Sequence, residues 1–392
     1  MNRIIKLASL LVAAVMLASC GGEDGSSVTK KTLILTSDKN LIMTDGEDHV
    51  TFTLTLDGVP VTENVTFYDK KNNILEVEDF EFYADEPGEY VIWANYGTYN
   101  SNQVTIKATD LELPDVVEDP NPESTSFKVR SLLVEFTTVG CAACPSMKTI
   151  LHEALEDEAT ADKLVVTSCH AGLVNAVADP CYVHTGFDDF IRITGYPTVS
   201  MDMYGLWDNS SIGGSSTFKQ TVSNFVAAKT TAPGISVNSV CEKGELVARV
   251  TVKSAETAQY RIGAFLVEDG IVATQTNTSV DWMHTHNGVI RYIDSRYYTA
   301  SGEQFYGHLL GEVEEGKTAD YLFAWSLDDI WTEGNDKGEI YGGIKWDPFK
   351  MDDLHLVVFV TTIARTEKSE FYYVANVIDC PLNGETPFEY AE

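Results

Sequence analysis

The sequence predicts a multidomain chain of the β and α/β classes: a β-sandwich, an α/β domain, and a second, larger β-sandwich. Three observations carry that prediction. Residues 30–108 hold short alternating runs, with turn signals about every ten residues. From Phe127 the apolar runs become continuous and alternate with segments of helical spacing. After residue 232 strand-like runs return and few stretches carry a helical period. At 392 residues the chain is too long for one core, as several domains require.

The chain opens MNRIIKLASLLVAAVMLASC. Arg3 and Lys6 precede an apolar run from Leu7 to Met16, too short to span a bilayer, which predicts an export signal over residues 1–19. The ending Leu17-Ala18-Ser19-Cys20 resembles the lipobox of bacterial lipoproteins, which implies that Cys20 is lipidated and anchors the chain to a membrane. A plain signal peptide beside a coincidental cysteine is the alternative. Residues 20–29 then form a flexible acidic tether. Acids just after the lipidated cysteine resemble a surface-export signal. The expected address is therefore the cell envelope, as an outer membrane lipoprotein exposed at the surface. With 59 acidic and 27 basic residues the net charge is −32, which excludes nucleic acid and anionic headgroups as partners and favours solubility. The six cysteines after Cys20 meet an oxidising milieu.

In residues 30–108, Val50, Phe52, Leu54 and Leu56 alternate with threonines before an Asp57-Gly58 turn. Tyr90, Ile92 and Ala94, then Val104 and Ile106, repeat the spacing. The stretch ADEPGEYVIWANYG resembles the corner before a late strand of an immunoglobulin-like sandwich, where a tyrosine anchors the bend. Nothing in it carries chemistry, which suits a spacer or a binding module. Residues 109–126, acidic, Pro-rich and aperiodic, read as a semi-rigid linker.

In residues 127–231, Leu132, Leu133, Val134 and Phe136 predict a buried strand of the parallel type. Met147, Ile150, Leu151 and Leu155 predict a helix behind it, and Leu164-Val165-Val166 another buried strand. A short helix holds Phe187, Phe190 and Ile191, and a strand starts at Pro197. Phe218, Val222, Phe225 and Val226 mark an amphipathic helix capped by Ser216 or Thr217. Across residues 232–392, VARVTV, IGAFLVEDG, LVVFVTT and FYYVANVI read as strands of the second sandwich.

Between strand and helix stands VEFTTVGCAACPSM, residues 134–147. A helix start stabilises a thiolate through unpaired amides and the helix dipole, and the thiolate is the reacting species in disulfide exchange. Cys141 is placed at that start, to attack from a solvent-reachable position. Cys144, one turn inward, is placed to resolve the mixed disulfide. A zinc clip is disfavoured, because no second CxxC or Cys/His pair lies at ligand spacing. An inert structural disulfide is the other reading.

These residues resemble the active-site segment of thioredoxins, and Thr194-Gly195-Tyr196-Pro197-Thr198 resembles their cis-proline loop. The resemblance implies that Pro197 lies against the disulfide and that Tyr196 pairs through its backbone with a substrate chain. Glu135, six residues before Cys141, matches the buried acid that takes the resolving cysteine's proton. Three departures weaken the match: Gly140 replaces the usual aromatic, Ala142-Ala143 lacks Pro or His, and Pro145 follows Cys144 directly. A closer resemblance runs from Phe127 onward. LLVEFTTVGCAACPSM, VVTSCHAG, GYPTV, AFLVEDGIVATQ and MHTHNGVIRYI are similar, in order, to thioredoxin-like lipoproteins related to a twenty-eight-kilodalton outer membrane protein. Those pair a thioredoxin-like domain with a C-terminal β-sandwich.

Cys169 with Cys181, and Cys241 with Cys380, are the expected structural disulfides, because each keeps its bridge inside one domain. The second closes a loop of about 140 residues. Asp281, His284 and His286 form a D-x-x-H-x-H cluster, with His308 a further candidate. Spacing fixes no third ligand, so a hydrogen-bonded pair beside the Asn287-Gly288 turn is favoured and no metal is expected. His170 and His184 stand where they could approach the CAAC. GNDKGE near residue 336 fails the alternation of a calcium loop. No phosphate loop, serine triad or dinucleotide fingerprint occurs, and no cofactor is expected. The sequence thus leaves two readings. One is a lipid-anchored thiol–disulfide oxidoreductase acting on exported proteins with thiols or disulfides. The other is a non-catalytic surface-binding lipoprotein with a degenerate thioredoxin-like domain.

Overall fold

The computed structural model describes residues 31–297, 304–365 and 370–391. The expected export signal, Cys20 and the expected tether lie in residues 1–30, outside the described residues. Among the described residues, no helix is long and apolar enough to cross a membrane. The architecture is β-rich, with several sheets divided between two compact units that meet at Glu112 and Leu113.

In the first unit, Val50, Phe52 and Leu54 bury one face of the strand Val50–Leu56, while Thr55 rather than Leu56 is buried at its end. Positive φ at Asp57 and Gly58 makes the tight turn into Val59–Pro60. One sheet orders Leu33–Ser37, Val50–Leu56 and Val59–Pro60, with Glu81–Phe82 added to the middle strand. The other orders Leu41–Met43, Val104–Thr109, Gly88–Tyr96, Val65–Asp69 and Ile74–Leu75. Leu35, Phe52, Phe67, Ile92 and Ile106 form their common core. The Tyr90 hydroxyl donates to the Glu86 carbonyl at 2.8 Å, which ties the strand Gly88–Tyr96 to the turn before it.

The second unit is organised by a nine-stranded sheet. Its order is Gly205–Asp208, Thr198–Met201, Ser131–Thr137, Leu164–His170, Val289–Ile293, Ala258–Glu268, Leu354–Arg365 and Glu370–Pro381, with His308–Val313 also paired to Ala258–Glu268. Every residue of Ser131–Thr137, the central strand, is buried. It pairs parallel to Leu164–His170 and antiparallel to Thr198–Met201. Because side chains alternate, its two faces feed two cores. Leu133 packs with Met147 and Leu151 of the helix Cys144–Leu155 and with Phe218 and Val222 of the helix Ser215–Ala227. Leu132, Val134 and Phe136 join the opposite core. A four-stranded sheet of Thr318–Ser326, Glu245–Lys253, Gly234–Glu242 and Gly384–Thr386 supplies Val237, Ala248, Val250 and Phe323 there.

The boundary drawn at 231/232 falls inside this unit, since the sheet runs through it. Leu164–His170 pairs in parallel with Val289–Ile293, and the Ser168 amide donates to the Gly288 carbonyl at 2.7 Å. Gly288 has a φ of +63°, and a Cβ there would lie 2.6 Å from the Val166 carbonyl oxygen. Only glycine allows that approach. Further segments differ from the sequence reading. Ser215–Ala227 starts after Gly214 with no side-chain cap, so neither Ser216 nor Thr217 plays that part. A 14-residue helix, Leu327–Ile340, was not foreseen. The Ser326 hydroxyl caps it through the Asp329 amide, and Leu327 and Ile330 are buried. Its glycines belong to packing: a Cβ at Gly334 would come 2.2 Å from the Trp346 ring. The GNDKGE stretch therefore lies within a helix and is no ion loop.

The acidic Pro-rich segment from Leu113 onward belongs to the second unit. Arg249 Nε donates to the Pro114 carbonyl at 2.6 Å. Lys253, 2 % exposed, donates to Asp119 Oδ2 at 2.8 Å, the Pro122 carbonyl at 2.7 Å and the Tyr390 hydroxyl at 3.2 Å. A buried ammonium is tolerated only when so paired. Lys253→Met would remove the donor to the Asp119 Oδ2 and the Pro122 carbonyl, leaving Asp119 with the Tyr390 hydroxyl and the Asn121 amide. It is expected to lower the unfolding free energy in urea by about 2–3 kcal/mol and to open residues 113–126 to limited proteolysis.

Candidate functional site

The central strand ends at Thr137, and Cys144 is the first residue of the helix that follows. Cys141 therefore lies three residues upstream, in the turn, rather than at the helix start. Cys141 and Cys144 form a disulfide with their Cα atoms 5.5 Å apart. No side chain caps the first helical turn and no acid lies in it, so its positive end is left directed at the loop. Cys141 is 6 % exposed and Cys144 fully buried, while Ala142 and Ala143 form an exposed tip. The sulfur of Cys141 is thus far less open to solvent than the sequence reading assumed.

Side-chain amides cause that enclosure. Gln275 Nε2 donates to the carbonyls of Thr138, Val139 and Cys141 at 3.1–3.3 Å. Asn175 Nδ2 reaches the Gly140 carbonyl at 3.0 Å, and Asn277 Nδ2 the Ala142 carbonyl at 2.9 Å. Asn209 Nδ2 reaches the Ala143 carbonyl at 3.2 Å. Asn175 sits at the turn of a hairpin, Leu173–Val174 with Val177–Ala178, that closes over the loop. A Cβ at residue 140 would lie 2.3 Å from the Val174 carbonyl oxygen. The hairpin occupies the space an aromatic would need, which accounts for Gly140.

Beneath the loop, register sorts the polar residues. Thr137 pairs with His170, and Glu135 with Ser168 and Val199. Paired residues share a face, so Glu135 and His170 lie on the face covered by the helix Cys144–Leu155. Glu135 is buried and its Oε1 has no partner among the described residues. Burial pushes its carboxyl above the ordinary 4.5, against the pull of Lys148 and His170. Lys148, one helical turn beyond Cys144, donates to His286 Nδ1 at 2.9 Å. Burial, with His170 and Lys148, drives the His286 ring down to about 3. His170 Nδ1 donates to Asp179 Oδ2 at 2.8 Å, and the amides of Val139 and Cys181 donate to the same carboxylate at 2.8 and 2.9 Å. Burial works against the Asp179 charge, but the ring and the two amides outweigh it and hold the carboxyl well below its usual range.

The same alternation corrects the predicted bridges. Cys169 precedes His170 on the strand and so projects into the opposite core, whereas the Cys181 sulfur lies beside the His170 ring. Both are free thiols, pushed up by burial. Cys241 and Cys380 are also free and buried. They stand on strands of different sheets, and the Cys380 thiol turns to Thr386. Burial raises the Cys241 thiol to about 11.

Pro197, buried, precedes the strand that pairs with Phe136 through Thr198, so it lies at the end of the sheet from which the CAAC loop leaves. The Tyr196–Pro197 bond is cis. Tyr196 donates to Asp188 at 3.3 Å and borders a cleft of about 130 Å³ lined also by Cys169, His170, Tyr182 and His184. Of the D-x-x-H-x-H cluster only His286 reaches the site. Asp281 is exposed, and His284 Nδ1 accepts the Gln275 amide at 3.0 Å. His308 is bonded to Asp294, and His184 stacks on Tyr341. Sequence reasoning passed over Asp179, Lys148 and Gln275. Only Lys148 left a readable signal, its four-residue spacing from Cys144 on a helix.

No protein-family model and no curated protein matches the chain. A solved structure similar to it is HBP35 of Porphyromonas gingivalis, at 17% sequence identity and a TM-score of 0.48, covering 67% of this chain and 78% of that one.

Proposed function

We propose that residues 127–231 act as a thioredoxin-like redox module, and that the protein, exported and lipid-anchored through Cys20, exchanges disulfides with proteins of the cell envelope. The observation that carries this reading is the Cys141–Cys144 disulfide at the uncapped start of a helix, on the sheet face that also holds the buried carboxyl of Glu135. In one direction a substrate thiolate attacks Cys141 Sγ and the bond to Cys144 breaks. Cys144 leaves as a thiolate and takes a proton from Glu135. A second substrate thiolate then displaces Cys141, so that two electrons enter the pair and the substrate leaves oxidised. The reverse sequence oxidises Cys141 and Cys144 at the expense of a substrate disulfide. Pro197 and the cleft beside Tyr196 supply the surface for the substrate chain.

The low exposure of Cys141 and its amide-clasped loop favour a second reading, a surface-binding lipoprotein whose disulfide is structural. The two separate in one experiment on the native, folded protein. Under the exchange reading, millimolar dithiothreitol reduces the pair without unfolding the chain. The protein then turns over a disulfide-bonded protein substrate, and Cys141→Ser lowers that rate by about 10³-fold or more. A pair that resists dithiothreitol until the protein unfolds, or exchange that survives Cys141→Ser, sinks it.

Glu135 gives a separate expectation. The folded protein holds this proton more tightly than the unfolded chain. Its contribution to stability is therefore fully present below the ordinary 4.5 and is lost as the pH rises through the raised folded-state value. Glu135→Gln cannot ionise, so it should gain stability over wild type as the pH climbs through that window, read by urea unfolding at several pH values. The same variant should slow exchange roughly 10²-fold, as loss of a proton-transfer group does.

A further inference from the structure

Behind the CAAC loop lies a buried donor set that disulfide exchange does not use. Ligand atoms of His170, Cys181 and His286 all lie within 4.8 Å of one another, and all three residues are buried. We propose that His170, Cys181 and His286 bind one zinc-type divalent metal ion. The inference is independent of the exchange reading and needs neither Cys141 nor Cys144.

An orphaned lone pair is the first support. His170 Nε2 has no hydrogen-bond partner among the described residues, although the side chain is 1 % exposed. An unpaired ring nitrogen in the interior is costly, and a cation is one of the few partners that would satisfy it. Its Nδ1 donates to Asp179, which fixes the tautomer and turns Nε2 inward. Metal-bound histidines are oriented in that way by a carboxylate. The same Asp179 accepts the Cys181 amide, so one anion sets two of the three ligands. Arg291, which donates to the Pro180 carbonyl at 3.1 Å, holds the chain just before Cys181.

His286 comes from far along the sequence. Its strand, Thr285–His286, is brought against Leu164–His170 by the close approach of Gly288, and the two imidazole centroids stand 5.1 Å apart. The ammonium of Lys148, on His286 Nδ1, sits where a cation's charge is wanted. Lys148 is half-buried, and its four-carbon stem lets it withdraw when a metal enters.

Two imidazoles and a thiolate suit zinc and its borderline neighbours rather than calcium or magnesium, which take oxygen donors. Metal–nitrogen and metal–sulfur bonds of about 2.0 and 2.3 Å place the ligand atoms roughly 3.5 Å apart, which small side-chain rotations achieve. Binding replaces the Cys181 thiol proton, which leaves to solvent. Among the described residues no fourth His, Cys, Asp or Glu joins the set, so a water completes a tetrahedral ion.

The test uses the full chain, chelator-stripped and with the 141–144 disulfide intact. Zinc is titrated against a chromophoric chelator, and cobalt(II) is added as an optical probe. One metal per chain is expected, with a near-ultraviolet thiolate-to-cobalt charge-transfer band and visible bands of a tetrahedral ion. Cys181→Ser should remove the charge-transfer band and weaken zinc binding by about 100-fold or more. His286→Gln should weaken it comparably, and Asp179→Asn by about 10–100-fold. The double variant Cys141→Ser/Cys144→Ser should keep the band, which separates this site from the exchange pair. Near-ultraviolet circular dichroism of the metal-free variants checks that they fold. Should a variant not fold, the wild-type cobalt spectrum decides alone. No uptake, uptake without a sulfur charge-transfer band, or a band that persists in folded Cys181→Ser overturns the proposal.

Discussion

The buried carboxylate of Asp179 holds the site together. It accepts from Val139 in the CAAC loop, from His170 on the neighbouring strand, and from the amide of Cys181. Those donors belong to three segments that strand pairing already brings close, Thr137 to His170 and His170 to Tyr182. A charge with no exposure and three such partners is stable only while all of them stay in place. A shift of the loop would cost the buried anion one of its three donors, the Val139 amide. The amides of Gln275 and Asn175 hold the same loop through its carbonyls.

Much of the scaffold was legible from period alone. Leu132, Leu133, Val134 and Phe136 make an apolar run broken only by Glu135 because both faces of that strand are covered, and Met147 and Leu151 repeat at helical spacing because one helix face is. Glu135 could be found by its distance from the cysteines. What was illegible depended on contacts between distant segments. Cys169 and Cys181 look like a bridge because they share one domain, yet strand alternation turns the Cys169 sulfur into the opposite core, away from Cys181. His286 lies in a cluster whose other two members point elsewhere, and its partner His170 is over a hundred residues away. The helix Leu327–Ile340 was hidden by Gly334 and Gly338, kept small by Trp346 and Ile344 rather than by any turn.

Composition also concealed where the cations are used. Lys253, Lys229 and Arg291 have side chains exposed by only 2 %, 5 % and 2 %. Each is paired with an acid, Asp119, Asp202 and Glu268 respectively. Each tie removes one cation together with one acid, so the net −32 is carried by the remaining residues. Long-range repulsion of polyanions follows, and it weakens with added salt.

The seam at Gly288 determines what can be cut from this molecule. Severing the polypeptide after residue 231 would strip Val289–Ile293 from Leu164–His170, take the Gly288 carbonyl from the Ser168 amide and uncover one side of a buried strand. Such an edge recruits whatever β-segment it meets, and a truncated piece would self-associate or be degraded. The segments on either side of residue 231 share one sheet. Neither could be shuffled into another protein as a spare part without bringing its flank along.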